Sequence, residues 1–292
     1  ITPVFTCTAT NLPLLYLGAI PIFADINSTT MNIDVSDIEH RITSKTKAIV
    51  AVDYGGIPAN YAELRRIADR HKLILISDAA QSLGSIYNGR PAGEYADFTI
   101  YSFQAIKTIT TGDGGVLSMK DKSLVDKAKR LRWFGINREA KQKGIWENDI
   151  KEIGYKYQMT DLAASLGLAS LKDLDWLISY RRNLLNLYID SIETSDATIV
   201  KMDNQTSSIT CPWLCTIIVS GKRIELMNKL RENGIESAQV HYRNDRYSIF
   251  GSRRQDLPKM DMLEEKYLVL PLHHRIQPEN VVKICSLINE GW

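Results

Sequence analysis

The sequence predicts an α/β fold: three layers, α/β/α, around a mostly parallel sheet, with a smaller C-terminal α/β domain after it. Apolar, β-rich runs alternate with helical patterns over the first 120 residues, the order a parallel sheet with helical crossovers requires. The runs are continuous in Val, Ile and Leu, as strands buried on both faces must be. A polar stretch, "TSDATIVKMDNQTSSIT" at 194–210, then sets off the final segment. The expected domains are 1–193 and 194–292.

In chain order, "KAIVAVDYGG" (47–56) reads as a buried strand ending in a turn. "NYAELRRIADRHK" (60–72) puts Leu64, Ile67 and Ala68 on one side and Arg65, Arg66 and Arg70 on the other, an amphipathic helix. "LILISDAA" (73–80), "DFTIYSF" (97–103) and "GVLSMK" (115–120) read as three further strands. "DKSLVDKAKRLRWF" (121–134) is a helix with Asp121 at its N-cap. Residues 135–158 are polar and lack apolar periodicity, and a connection of that length is usually functional. The 159–192 region is helical, started by Thr160 or Asp161 and interrupted at "KDLD". Beyond the seam, "CPWLCTIIVS", "KRIELMNKLRENG", "ESAQVHYR" and a helix near 278–289 read β-α-β-α.

A formal charge of +2 gives no electrostatic reason to expect nucleic acid or a membrane as partner. No apolar run reaches the roughly 18 residues that a membrane span needs. Cys7, Cys211, Cys215 and Cys285 form no CxxC pair, so "CPWLC" reads as buried free thiols, no metal is expected, and the chain suits a reducing cytoplasm.

Four features point to chemistry. Asp78 closes the strand "LILISD", at the edge where parallel sheets bind ligands. Ser102 ends the strand "FTIYS", and Lys107 follows five residues later. "TTGDGG" then supplies glycines able to take positive φ close to a ligand. No Walker spacing and no GxGxxG is present. Singly, each has an ordinary reading: a capping Asp, a solvated Lys, a turn. Together they match the needs of pyridoxal 5′-phosphate, which takes an amine for its Schiff base, an acid facing its ring nitrogen, and donors for its phosphate.

The segments "SDAAQSLGS", "YSFQAIKTITTGDGGVL" and "GYKYQMTDLAASLGL" resemble the DegT/StrS family of sugar-nucleotide aminotransferases. The likeness runs from "ITPVFTCTATN" to "VLPLHHRI", and S-F-x-x-x-K-x-x-x-x-G-[DE]-G-G is its most specific pattern. The resemblance implies the aspartate-aminotransferase-like fold, PLP transferase fold type I. It makes Lys107 the Schiff-base lysine and Asp78 the partner of the pyridine nitrogen, with Gln81 against the phenolic oxygen and Ser102 on the phosphate. It also implies a homodimer in which the "GYKYQM" loop reaches into the neighbouring site. Lys156 there stands where many members have Asn, and could bind the phosphate as a point charge or face solvent. Cys7, or Phe5 two residues earlier, is left to pack on the cofactor ring. Members carry several dozen residues ahead of the point matching Ile1, so the large domain is expected to be N-terminally incomplete.

His241, in "QVHYRND", falls where relatives place substrate-facing residues, and a packed histidine is the alternative reading. Arg243 and "WFGINRE" are further candidates for anionic parts of a substrate, while His273 and His274 read as structural. The resulting expectation is a PLP-dependent aminotransferase moving an amino group from an amino acid, glutamate first, to a nucleotide-linked keto-deoxysugar. A PLP-dependent sugar dehydratase is the second reading; relatives of that kind carry histidine in place of the lysine, and Lys107 speaks against it. A PLP-binding regulator or inactive truncated homologue is the third.

Overall fold

The computed structural model describes residues 1–147, 149–202, 208–254 and 256–292. Its central sheet runs in the order Ala48–Val52, Ile74–Asp78, Phe98–Ser102, Gly115–Met119. The first three strands are parallel and the fourth is antiparallel. The sheet extends beyond Ala48–Val52, because Val50 N–H donates to Ile1 C=O and Thr2–Pro3 pairs in parallel with Phe23–Ala24. These two short strands carry too few residues for a periodic signal and were not legible in the sequence.

Helix Tyr61–His71 covers the sheet with Tyr61, Leu64, Ile67 and Ala68, which pack on Ile49, Ala51 and Leu75. It starts on Asn60, whose side chain accepts the Glu63 N–H, and ends at Lys72 in the left-handed region. The last two strands are less covered: Ile100 and Leu117, directly paired, are each more than two-fifths exposed. Gly115 is required where these strands join. A Cβ there would lie 2.6 Å from the Tyr101 carbonyl oxygen.

Asp121 caps a single 3-10 turn at Lys122–Leu124, and the α-helix that follows spans only Val125–Leu131. Helix Asp161–Leu171 is capped by Thr160, which accepts the Ala163 N–H; after a break at Lys172 and Asp173 comes Leu174–Ser191. Its second half leaves the large sheet, and Leu184 and Tyr188 belong to the C-terminal core with Leu226, Leu230, Ile284 and Ile288.

The C-terminal sheet is antiparallel, Ala197–Ile199, Cys215–Val219, Tyr267–Leu270. Here the reading of "ESAQVHYR" as its second strand is corrected. Within that segment only Ala238 bridges to this sheet, through Val269, while Tyr242–Arg243 pairs with Phe5–Thr6 at the other end of the chain. The inward positions are the polar ones: His241 and Arg243 are buried, whereas Val240 and Tyr242 are partly exposed. Cys211, Cys215 and Cys285 are buried free thiols and Cys7 is exposed. Among the described residues no helix is long and apolar enough to cross a membrane.

Candidate active site

Asp78 stands at the C-terminal end of a central strand, and each of its carboxylate oxygens is held. Oδ2 accepts the Thr10 hydroxyl at 2.7 Å and Oδ1 accepts the Ala80 N–H at 3.1 Å. Burial raises its pKa, opposed by those bonds and by the charge on Lys107. Thr10 comes from the first turn of helix Thr8–Tyr16, and its hydroxyl also meets that of Thr6.

Lys107 lies in the 103–114 connection between two antiparallel strands. Phe103 N–H donates to Gly114 C=O, Thr111 N–H to Phe103 C=O, and Lys107 N–H to Gln104 C=O. The indole N–H of Trp213 holds the same loop through the Ile106 carbonyl, and Lys107 Nζ sits 3.9 Å from the Trp213 ring centroid. Burial lowers the lysine's pKa; the Asp78 charge, and then Cys7, push the other way. The two groups feel each other across the site without forming a direct ion pair.

Gln81 is buried, and its amide is oriented from two sides. Its Oε1 accepts the Gly55 N–H at 2.8 Å, and its Nε2 lies 3.1 Å from His241 Nε2. An amide nitrogen only donates, so His241 accepts at Nε2 and is neutral. Burial, with the nearby Lys107 charge, pushes its pKa down to about 4. The His241 ring stacks on Trp213 and meets Phe5 and Tyr54 edge-on. The imidazole is thus packed, with its polar edge turned to Gln81.

Below this layer, Asp53 is fully buried. It accepts from Tyr61 OH, Ala59 N–H and Ser82 OH, and burial pushes its pKa up to about 6.

The structure therefore gathers Asp78, Lys107, Gln81 and His241, together with Trp213, Thr10 and Asp53, which the sequence reading did not single out. Ser102 ends its strand as expected, but its hydroxyl accepts the Gln104 N–H and makes no bond to the others. Lys156 lies apart, its ammonium 3.9 Å from the Trp133 ring centroid, beside the folded-back pair Tyr155 and Tyr157. Phe5 is core, packed against Tyr54 and Tyr267, whereas Cys7 is exposed next to the helix start. Arg243 is no substrate ligand. It is fully buried, paired with both oxygens of Asp245 at 2.6 and 2.7 Å, and also with Asp261 and Glu264. His273 and His274, read as structural, are exposed on the rim of the cavity that Lys107 lines.

The donor set fits pyridoxal 5′-phosphate: a half-buried amine, a held carboxylate, and an amide whose second N–H has no partner among the described residues. An amine and a carboxylate placed this way suit an enzyme built on that cofactor, the class to which aminotransferases belong. The chain belongs to the DegT/DnrJ/EryC1/StrS aminotransferase family, whose model matches residues 1–289. It is 33% identical over 295 residues to GDP-perosamine synthase of Escherichia coli O157:H7, covering all of this chain and 78% of that protein. The sugar aminotransferase CalS13 of Micromonospora echinospora superposes with a TM-score of 0.94 at 28% identity, over 100% of this chain and 80% of that one. The PLP form of Spr1654 of Streptococcus pneumoniae gives 0.90 at 29%, over 99% and 79%.

Proposed function

We propose that this chain is a PLP-dependent nucleotide-sugar aminotransferase that takes its amino group from an amino acid, glutamate first, and passes it to a keto-deoxysugar linked to a nucleotide. The observation that carries the reading is the Lys107–Asp78 arrangement: an amine loosened from its proton by burial, coupled to a fixed carboxylate with no direct ion pair between them. When bound, the cofactor supplies an electron sink for a carbon that loses a proton. Lys107 is the residue that would carry it, and its Nζ would take and return a proton at the substrate carbon. Asp78, fixed by Thr10 and Ala80, would hold a proton on the ring nitrogen. Gln81 would donate its second amide N–H to the phenolic oxygen. Ser102, whose hydroxyl accepts the Gln104 N–H, would donate its own proton to the phosphate.

The reading includes a homodimer in which Lys156 of the partner subunit reaches the phosphate. Support comes from helix Asp161–Leu171, which buries none of its residues although Leu162, Leu166 and Leu168 are apolar and largely exposed. Its place is the cytoplasm, where reduced thiols persist.

Absorbance tests the reading. Purified protein with PLP should show the near-visible band of lysine-bound cofactor, and glutamate should shift it. Lys107→Ala should show neither. A band that ignores glutamate but answers another amino acid replaces the donor; a wild-type protein that forms no band ends the reading.

A further inference from the structure

Arg181 is 94% buried by its 6% relative exposure, yet no carboxylate pairs with it among the described residues. Its Nη1 donates to the Thr108 hydroxyl at 3.2 Å, and its Nε has no partner there. Burying a guanidinium without a counter-charge is costly, and proteins ordinarily avoid it. Burial lowers its pKa, with no opposing carboxylate. Arg181 lines a cavity of roughly 860 Å³ together with Lys107, Thr108, Trp213 and Ser237, whose buried hydroxyl is also unpartnered. Asp173 and Glu236 line the same cavity, and neither forms an ion pair with Arg181. Two orphaned donors in one cavity with the reactive lysine describe a seat for an anion.

We propose that Arg181, with the hydroxyls of Thr108 and Ser237, seats the α-carboxylate of the amino-acid donor. The inference rests on the reading of Lys107 as the cofactor-bearing lysine. Arg181 is bonded to the residue next to Lys107, so the seat adjoins the reacting amine. In an α-amino acid the carboxylate is one bond from the carbon that bears the amine, which requires adjoining seats. The phosphates of a nucleotide sugar are the other anion this reading brings to the cavity. They lie across a sugar ring from the reacting carbon, too remote for this place. Arg275, the cavity's second guanidinium, is exposed at its rim, whereas the one buried guanidinium and the two neutral hydroxyls match the charge and fork geometry of one carboxylate.

The test measures binding to the PLP-loaded protein of glutarate, a dicarboxylate with no amine to react, and separately of a nucleoside diphosphate. Arg181→Met should weaken glutarate at least about tenfold, the loss of a charge-assisted pair, leave the nucleoside diphosphate Kd unchanged, and not lower Tm. Donor KM should rise while sugar-nucleotide KM holds. Arg181→Lys, which keeps the charge and loses the fork, should fall between, and serves alone if Arg181→Met does not fold. Unchanged glutarate affinity overturns the seat. So does a loss confined to the nucleoside diphosphate, which would make it a phosphate site, or a fall in Tm with affinity intact, which would make Arg181 a strut. An intact cofactor band with unchanged glutarate affinity sinks the seat alone; absence of the band in wild type sinks the reading beneath it.

Discussion

Arg181 and Arg243 are both buried arginines, and they differ in what surrounds the charge. Around Arg243 stand Asp245, Asp261 and Glu264, and Arg253 joins the last two. Burial alone would lower the Arg243 pKa, and those partners more than reverse it. Around Arg181 there is a neutral hydroxyl and a cavity. The first cluster is closed on itself and ties the 243–264 segment together. The second leaves donors open, at a cost in stability that a substrate's charge can offset. Burial does not separate structure from function here; the inventory of partners does.

The largest effect expected from this contrast is at the open site. Lys107→Met keeps most of the side-chain volume and removes the amine, and should cut transamination by roughly 10²–10⁴-fold or more. Its unfolding midpoint should hold or rise, because the ammonium it removes is one that burial disfavours. Coupled glutamate turnover beside thermal unfolding checks both. A Lys107→Met protein that loses stability and activity together would erase the distinction.

At the closed cluster the pattern should invert. Arg243→Met strands the fully buried Asp245 and takes one of two guanidinium partners from Asp261 and Glu264, and should destabilise the fold by about 3–5 kcal/mol in denaturant titrations. The folded fraction should retain its glutarate affinity.

His241 sharpens the comparison through pH. Its folded pKa, about 4, lies below the ordinary 6.5, so above pH 6.5 it is neutral in both states and costs nothing. As pH falls from 6.5 to about 4 the unfolded chain takes up a proton and the native state does not. Over that window stability drops by roughly 3 kcal/mol. The facing groups are Lys107, Gln81, Trp213, Phe5 and Tyr54. Asp53, raised to about 6, acts in the opposite direction over the same range, so the informative quantity is the difference between His241→Phe and wild type. His241→Phe should lose the acid-side slope that histidine adds; identical stability–pH curves would contradict a buried neutral imidazole.

Much of this was readable from the chain. The strands 48–52, 74–78, 98–102 and 115–119, the break at 172–173 and the helix Pro278–Asn289 follow local patterns, and the structure has them. What local pattern does not carry is pairing across the chain. "ESAQVHYR" alternates like a strand, but its buried face is polar because His241 meets Gln81, 160 residues away, and Arg243 meets its carboxylates. Trp213 lies inside "CPWLC", which local pattern reads only as a strand with buried thiols. Its role depends on the Ile106 carbonyl, 107 residues distant. Arg181 sits in "SYRRNLL" as one of two adjacent arginines, and spacing gives no sign of which one is buried. That Lys107, Asp78 and Gln81 stand near one another was legible from the motifs and, for Asp78, from the strand end.

The smallest effect concerns a residue that touches neither substrate nor cofactor in this reading. Thr10 donates to Asp78 Oδ2, and that bond favours the ionised carboxylate. Thr10→Val keeps the shape and removes the donor. Asp78 then holds its proton more readily, and a neutral acid pairs less well with a protonated ring nitrogen. Turnover should fall roughly fivefold, the worth of one hydrogen bond of about 1 kcal/mol. The acid limb of the activity–pH profile should move to higher pH, while glutarate affinity at Arg181 stays as it was. A limb that stays in place, with turnover reduced, would mean that Thr10 acts by positioning the helix start and not through the carboxylate's charge.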